Sequence, residues 1–427
     1  MKQLFLTIIS LVFILPAAAK NLKVESAPQH DWWWNKEETP SLVFQVSDTT
    51  LTGGISNLTI DIKGDRMDAP VYYKEKRILQ LPGNAPVEMR VNPSLPGAGF
   101  YRVSVKDEGN EVLAFNIGIS PEEVISEGDA QPDLAEFWQK AVEELSAVPM
   151  NATMVEIPEK SGEKRKIYFC QYLSLDNDTV SGYLALPVKE GKYPAIIYYN
   201  GYNGQPWDID PDGMENWIEF QHWVRGQGPN KPYNRYDEYA LYHLEDPEKY
   251  YYRGAYMDVL RTIDFIESLP QTDKEAIFAE GGSQGGAFTF VAAALDPQKR
   301  IKAIAPYIPF MSDFPDYFEI VNWPGDMAKA KAEELGMSQE QMYRNLSYFD
   351  IKNLTPWITV PVLMGVGLQD PTCPPHTNFS GYNNLNAGKK EFVIYPLMGH
   401  TVDYSDWNPR RLNFFNGTLE KIKSDKF

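Results

Sequence analysis

The stretch Glu280–Gly286, read as EGGSQGG, restricts the fold of this chain more than any other. A short apolar run, Ala276 to Ala279, leads into it, and a helical run, AFTFVAAAL, leads out of it. Glycine alone takes positive φ without strain, so glycines on both sides of one serine suit a sharp strand-to-helix reversal. Such a turn holds the serine out above a parallel sheet, with a helix N-terminus beneath it that favours developing negative charge. The Lys and Ser/Thr that complete a phosphate-cradling loop do not follow. Context therefore makes Ser283 a candidate nucleophile where the pattern alone would not.

The flanking sequence agrees with that setting. From Asp133 onward, apolar strands and amphipathic helices alternate: AIIYYN (195–200), a helix from about Tyr251 to Leu269, AIFAE (276–280), KAIAPYI (302–308), VPVLMGV (360–366) and FVIYP (392–396). Continuous apolar strands between amphipathic helices predict a mostly parallel sheet covered on both faces, the α/β class. Asp133 before LAEFWQKAVEEL, with Glu136 three residues on, predicts an acidic capping box at the first helix. Upstream, SLVFQVS, LTIDIK, VEMRVN, FYRVSVK and VLAFNIGI alternate apolar and polar residues without helices between them. That spacing predicts a small immunoglobulin-like β-sandwich over 20–120, followed by a linker over 121–132; the α/β-hydrolase unit to which the serine turn and the alternating elements point then spans 133–427. Lys2, the apolar run to Leu15 and Ala17-Ala18-Ala19 read as a signal peptide over 1–19, cleaved to give a secreted or periplasmic protein.

A serine nucleophile needs a base, and the chain has five histidines. His30 falls in the β region, His222 on a possible strand, His243 on an expected helix face and His376 beyond a loop. His400, in PLMGHTVDY just past the last strand, alone matches the order Ser, Asp, His of an α/β hydrolase. Asp370 ends the strand of VLMGVGLQD and is the candidate acid, to hold the His400 ring and stabilise its protonated form. Asp313, Asp350 and Asp403 are the alternatives. The oxyanion donors expected are the backbone N–H of Gln284 and that of Tyr202 in NGYNG (200–204).

Composition narrows the ligand class. A formal charge of −18 disfavours nucleic acid and anionic membranes, and no segment after the leader is long and apolar enough for a membrane helix. Cys170 and Cys373 are the only cysteines, which excludes a disulfide scaffold and leaves their pairing open. The run Trp32-Trp33-Trp34 reads as sandwich packing, or packing against the second unit, ahead of a sugar-stacking platform.

Taken in order, these motifs resemble the acetyl xylan esterase/cephalosporin C deacetylase family of carbohydrate esterases. The resemblance runs from about Asp133 to the C-terminus, through Gly201-Tyr202, Arg225-Gly226-Gln227, YYYRGAYMDVLRTIDFI, GGSQGG, PVLMGVGLQD with PTCPP, and Gly399-His400. It implies Ser283, Asp370 and His400 as catalytic triad, Tyr202 and Gln284 as oxyanion donors, and Arg225, Gly226 and Gln227 as a structural tie between loops. It also implies that Pro309 and Phe310 flank the acyl group. The chain departs from the family at Asn200, where a histidine is usual, and at Thr401, where a glutamate is usual.

The function expected is deacetylation of O-acetylated sugars such as xylo-oligosaccharides, without metal or organic cofactor, by an enzyme that can form homo-oligomers. The rival readings are a hydrolase of other esters or of peptides, and a carbohydrate-binding protein with an inactive hydrolase unit. If the triad is complete without the sandwich, a chain beginning near Gln131 should still cleave 4-nitrophenyl acetate.

Overall fold

The structure, a computed structural model, describes residues 22–424, so the expected signal peptide lies outside the described residues. Eight strands build the first unit: β1 (Leu22–Ser26), β2 (Trp33–Trp34), β3 (Leu42–Asp48), β4 (Gly54–Gly64), β5 (Val71–Leu81), β6 (Val87–Val91), β7 (Gly99–Asp107) and β8 (Asn110–Ile119). They form two sheets, ordered β1-β3-β6 and β2-β8-β7-β4-β5. The alternation seen in the sequence is the inward face: Ile60 lies opposite Val105 and Ile62 opposite Val103, and all four are fully buried.

Sequence reasoning missed β5, and the reason is visible in its composition. The strand reads VYYKEKRILQL and stands at the sheet edge with most side chains exposed. Lys and Glu on such an edge discourage pairing with another chain and also erase the apolar alternation. The three tryptophans pack as expected. Trp32 stacks on Phe115 at 4.3 Å between ring centroids, Trp34 is buried, and Trp33 meets Phe392 of the second unit edge-on at 6.0 Å.

The second unit carries strands β9 (Thr153–Glu156), β10 (Arg165–Leu173), β11 (Thr179–Pro187), β12 (Tyr193–Tyr199), β13 (Ile218–Trp223), β14 (Thr272–Gly282), β15 (Ile301–Tyr307), β16 (Val362–Gly367) and β17 (Lys390–Tyr395). Its helices are α1 (Leu134–Ser146), α2 (Tyr251–Ser268), α3 (Gln284–Leu295), α4 (Phe314–Ile320), α5 (Gly325–Glu334), α6 (Gln339–Leu346), α7 (Ile351–Leu354), α8 (Pro375–Asn383) and α9 (Tyr404–Ser424). One nine-stranded sheet runs β17-β16-β15-β14-β12-β13-β11-β10-β9. Strands β12 to β17 pair in parallel and β9 to β11 antiparallel. The chain reverses its direction of travel across the sheet at β12 and β14, where an α/β fold opens its ligand crevice. Among the described residues no helix is long and apolar enough to cross a membrane.

Two local expectations need correction. Helix α1 begins at Leu134, but Asp133 makes no capping bond; its carboxylate accepts from the Tyr348 hydroxyl at 2.7 Å instead. Asp133 takes φ −98° and ψ 11° instead of the extended backbone of a capping residue, and its carboxylate pairs with Tyr348 in place of the first-turn N–H groups. His243 lies in a turn at φ 55°, not on a helix face, and pairs with Glu245.

The two units share a polar seam. His376, at the start of α8, meets Asp65 of the β4–β5 loop at 2.8 Å through Nδ1 and Asp316 of α4 at 3.2 Å through Nε2. Arg66 reaches the same Asp316 at 2.5 Å. Burial opposes charge on His376, but the bonds to Asp316 and Asp65 outweigh it and push its pKa up to about 10. A group raised above its ordinary value contributes stability that is complete below about pH 6.5 and is lost as pH rises toward 10. The melting-temperature gap between wild type and His376→Gln should therefore be widest near pH 6 and narrow by pH 10. Equal gaps at both pH values would show that the charged histidine is not the stabilising form.

Candidate active site

The candidate residues come from loops at one end of the parallel strands. Ser283 is the single residue between β14 and α3, at φ 57° and ψ −123°, a conformation that costs a non-glycine residue about 1–3 kcal/mol. The surroundings over-determine that strain. The Ser283 N–H donates to Tyr307 at 3.1 Å, and its carbonyl accepts from Ala287 at 3.1 Å and Phe310 at 3.0 Å. Gly285 supplies the close approach: a Cβ there would stand 1.9 Å from the Tyr199 carbonyl oxygen. The helix thus starts directly against the end of β12, and Ser283 stays partly open to solvent.

Asp370 follows β16 and His400 follows β17. The Asp370 carboxylate is buried and fully engaged: Oδ2 meets His400 Nδ1 at 2.8 Å, while Oδ1 accepts the N–H groups of Thr372 at 2.7 Å and Cys373 at 2.9 Å. Burial and the nearby Asp370 push the Cys373 thiol well above its usual range, and the Ser283 side chain offsets this only in part. Both cysteines are free and buried.

The alternative acids serve other purposes. Asp313 is held by Lys352 at 2.8 Å, with Ser126 and Ser380 on its second oxygen. Asp350 accepts the backbone N–H groups of Asp313, Phe314 and Lys352. Asp403 accepts from Ser405 at the head of α9. His222, on β13, is buried against Thr262, and burial lowers its pKa to about 3. Asp313, Asp316 and His376 bring ligand atoms within 4.8 Å of one another, but their polar atoms are already matched to Lys352, Arg66 and Asp65.

The loop after β12 faces the elbow: a Cβ on Gly201 would lie 3.9 Å from Cβ of Ser283. Gln227 locks this loop to the helix. Its amide exchanges two hydrogen bonds of 3.1 Å with Gln284, accepts the Asn203 N–H at 2.9 Å and donates to Tyr251 at 2.9 Å. Arg225 anchors the motif through a buried bidentate pair with Asp258 and a 2.8 Å contact to Asp178. Gly226, at φ 70°, turns the chain between them. Arg225, Gly226 and Gln227 thus lie where they tie loops together. The departures are quiet: Asn200 donates to the His222 carbonyl, and Thr401 makes no bond to His400.

Several residues of the site carried no signal in the sequence. The Tyr202 hydroxyl donates to Glu238, which fixes the ring. Trp323 stands between the two loops, edge-on to Tyr202 at 6.1 Å and stacked on Phe310 at 6.1 Å and 21°. Phe310 and Pro309 are buried, so the half-exposed Trp323 forms the open surface of that wall. On the other flank a cavity of about 430 Å³ is lined by Gly201, Gly282, Tyr307, Trp207, Tyr404 and Asn408.

A strained serine between a parallel strand and a helix, an aspartate–histidine pair beyond the last two strands, and a glycine loop facing the serine define an α/β hydrolase. Residues 122–417 match the family model for acetyl xylan esterase (AXE1), and the chain belongs to that family of carboxylic ester hydrolases. The acetyl esterase Axe7A of Xylanibacter ruminicola is 26% identical over 94% of this chain and 93% of its own. The solved acetyl xylan esterase of Paenibacillus sp. R4 is 28% identical, with a TM-score of 0.63 over 70% of this chain and 98% of its own. Acetyl xylan esterase 1 of Thermoanaerobacterium sp. JW/SL YS485 shares the fold at 24% identity and a TM-score of 0.61, over 70% of this chain and 97% of its own.

Proposed function

We propose that this enzyme is exported and removes acetyl groups from O-acetylated xylo-oligosaccharides or related sugars through an acetyl-serine intermediate. The observation that carries the serine mechanism is the 2.8 Å Asp370–His400 pair, set at the same end of the parallel strands as a serine held in a strained turn. Asp370 keeps the proton on Nδ1, so Nε2 is the base that takes the Ser283 proton as Oγ attacks the acetyl carbonyl. The negative oxygen that forms is met by the N–H groups of Gln284, at the head of α3, and of Tyr202. His400 then protonates the departing sugar oxygen, and a water activated by the same ring releases acetate. The aromatic-lined cavity beside Gly201 and Gly282 offers room for the sugar.

Acyl length tests the substrate class. Phe310 is bonded through its backbone to Ser283 and stacked beneath Trp323, so this wall cannot retreat freely. An extra CH₂ gains about 0.8 kcal/mol in a roomy apolar pocket but costs about 1–3 kcal/mol where it overpacks a fixed one. The cost wins, and kcat/KM should fall from 4-nitrophenyl acetate to butyrate to octanoate, roughly tenfold for each 1.4 kcal/mol. A rise with chain length would mean a hydrolase of longer esters.

A further inference from the structure

Asn116 of β8 lies 253 positions before Gln369 and more than that before the candidate acid, yet it bonds the residues immediately preceding Asp370. Its backbone N–H donates to Gln369 Oε1 at 2.7 Å, its carbonyl accepts from Gln369 Nε2 at 3.1 Å, and its side-chain amide donates to the Leu368 carbonyl at 3.1 Å. The Gln369 side chain therefore caps the free edge of a sandwich strand as a further strand would. The same Nε2 donates to the Pro396 carbonyl at 2.8 Å, and the Gln369 backbone N–H donates to Met398 at 2.9 Å. One glutamine thus joins three segments: β8 of the sandwich, the loop that carries Asp370 and the loop that carries His400. A second tether acts from the other side of the same loop. His376, six residues past Asp370, is gripped by Asp65, while Tyr317 beside Asp316 donates to the Thr372 carbonyl at 2.8 Å.

We infer that the sandwich is a positioning element of the active site: through Asn116 and Gln369 it sets the register of the Asp370 and His400 loops against each other. Resting on the reading that Asp370 and His400 are the acid–base pair, this assigns Asn116 and Gln369 as positioning residues. The geometry that matters is the aim of His400 Nε2 at Ser283. A displacement of about 1 Å in such a group costs on the order of 10²-fold in rate without altering how substrate binds.

The test uses the full chain and 4-nitrophenyl acetate. Gln369→Met removes three of the bonds while keeping side-chain length and should lower kcat by about 10²-fold, with KM changed by less than about threefold. Asn116→Ala removes one bond to the Asp370 loop, that to the Leu368 carbonyl, and a 3.4 Å bond from Arg102 within the sandwich, and should lower kcat by about tenfold, with labelling by a fluorophosphonate slowed in parallel. Asn383→Ala is the control, since Asn383 bonds the Pro121 and Val124 carbonyls across the same seam but touches neither loop. It should keep kcat within about twofold of wild type, whatever it does to melting temperature. Equal loss of kcat in Asn116→Ala and Asn383→Ala, or wild-type kcat in Gln369→Met, overturns the inference. His400→Ala is run alongside: if it is inactive while Gln369→Met is normal, the inference alone fails. Activity in His400→Ala overturns the acid–base reading and this inference with it. If Asn116→Ala does not fold, Gln369→Met alone decides.

Discussion

Ser283→Ala should lose roughly four to six orders of magnitude in kcat/KM for 4-nitrophenyl acetate while remaining folded. Removing Oγ deletes the bond-forming atom and little else, because the turn is held by backbone bonds to Tyr307, Ala287 and Phe310 that alanine keeps. Going further, Ser283→Gly should be inactive yet more stable than wild type, since glycine alone accepts φ 57° and ψ −123° without strain. His400→Ala should be nearly as damaging as Ser283→Ala, and the double variant little worse than either, since nucleophile and base act as a unit. Fluorophosphonate labelling gives the check: a Ser283→Ala protein that still takes up the probe would have its nucleophile elsewhere.

What was legible in the sequence is what is local or fixed by chain order. The elbow could be read because its glycines, strand and helix are contiguous. Asp370 and His400 could be read because each ends a strong apolar strand in the order the fold requires. Contacts across long separations left no trace. Asn116 is an ordinary polar residue in an alternating strand, and nothing in VLAFNIGI points to a partner 253 positions away. Trp323 and Glu238 sit in connecting segments without helical or strand periodicity, whose paths only the packed structure fixes. The expectation that a chain beginning near Gln131 still cleaves 4-nitrophenyl acetate weighs only the positions of Ser283, Asp370 and His400, which all lie beyond that point, and not the bonds from Asn116 to the loop that carries Asp370.

Asp370→Asn is the most discriminating change in the acid, and the hydrogen bonds around it decide its outcome. One carboxylate oxygen faces two N–H donors, Thr372 and Cys373, at 2.7 and 2.9 Å. An asparagine must turn its oxygen to those two donors, because turning its NH₂ there would leave buried donors facing a donor, a penalty of about 1–3 kcal/mol for each. The NH₂ is then forced toward His400 Nδ1, the position of the present 2.8 Å bond. A donor at that position demands a lone pair on Nδ1, so the ring proton moves to Nε2, the nitrogen that should accept from Ser283. The base is present, correctly placed and in the wrong tautomer. With the oxyanion donors and substrate contacts untouched, KM should stay within about threefold while kcat falls by about 10⁴. The protein should melt within a few degrees of wild type, since shape and hydrogen-bond count are both preserved. A kcat within tenfold of wild type would remove Asp370 from the acid–base pair and leave its contact with His400 a structural one.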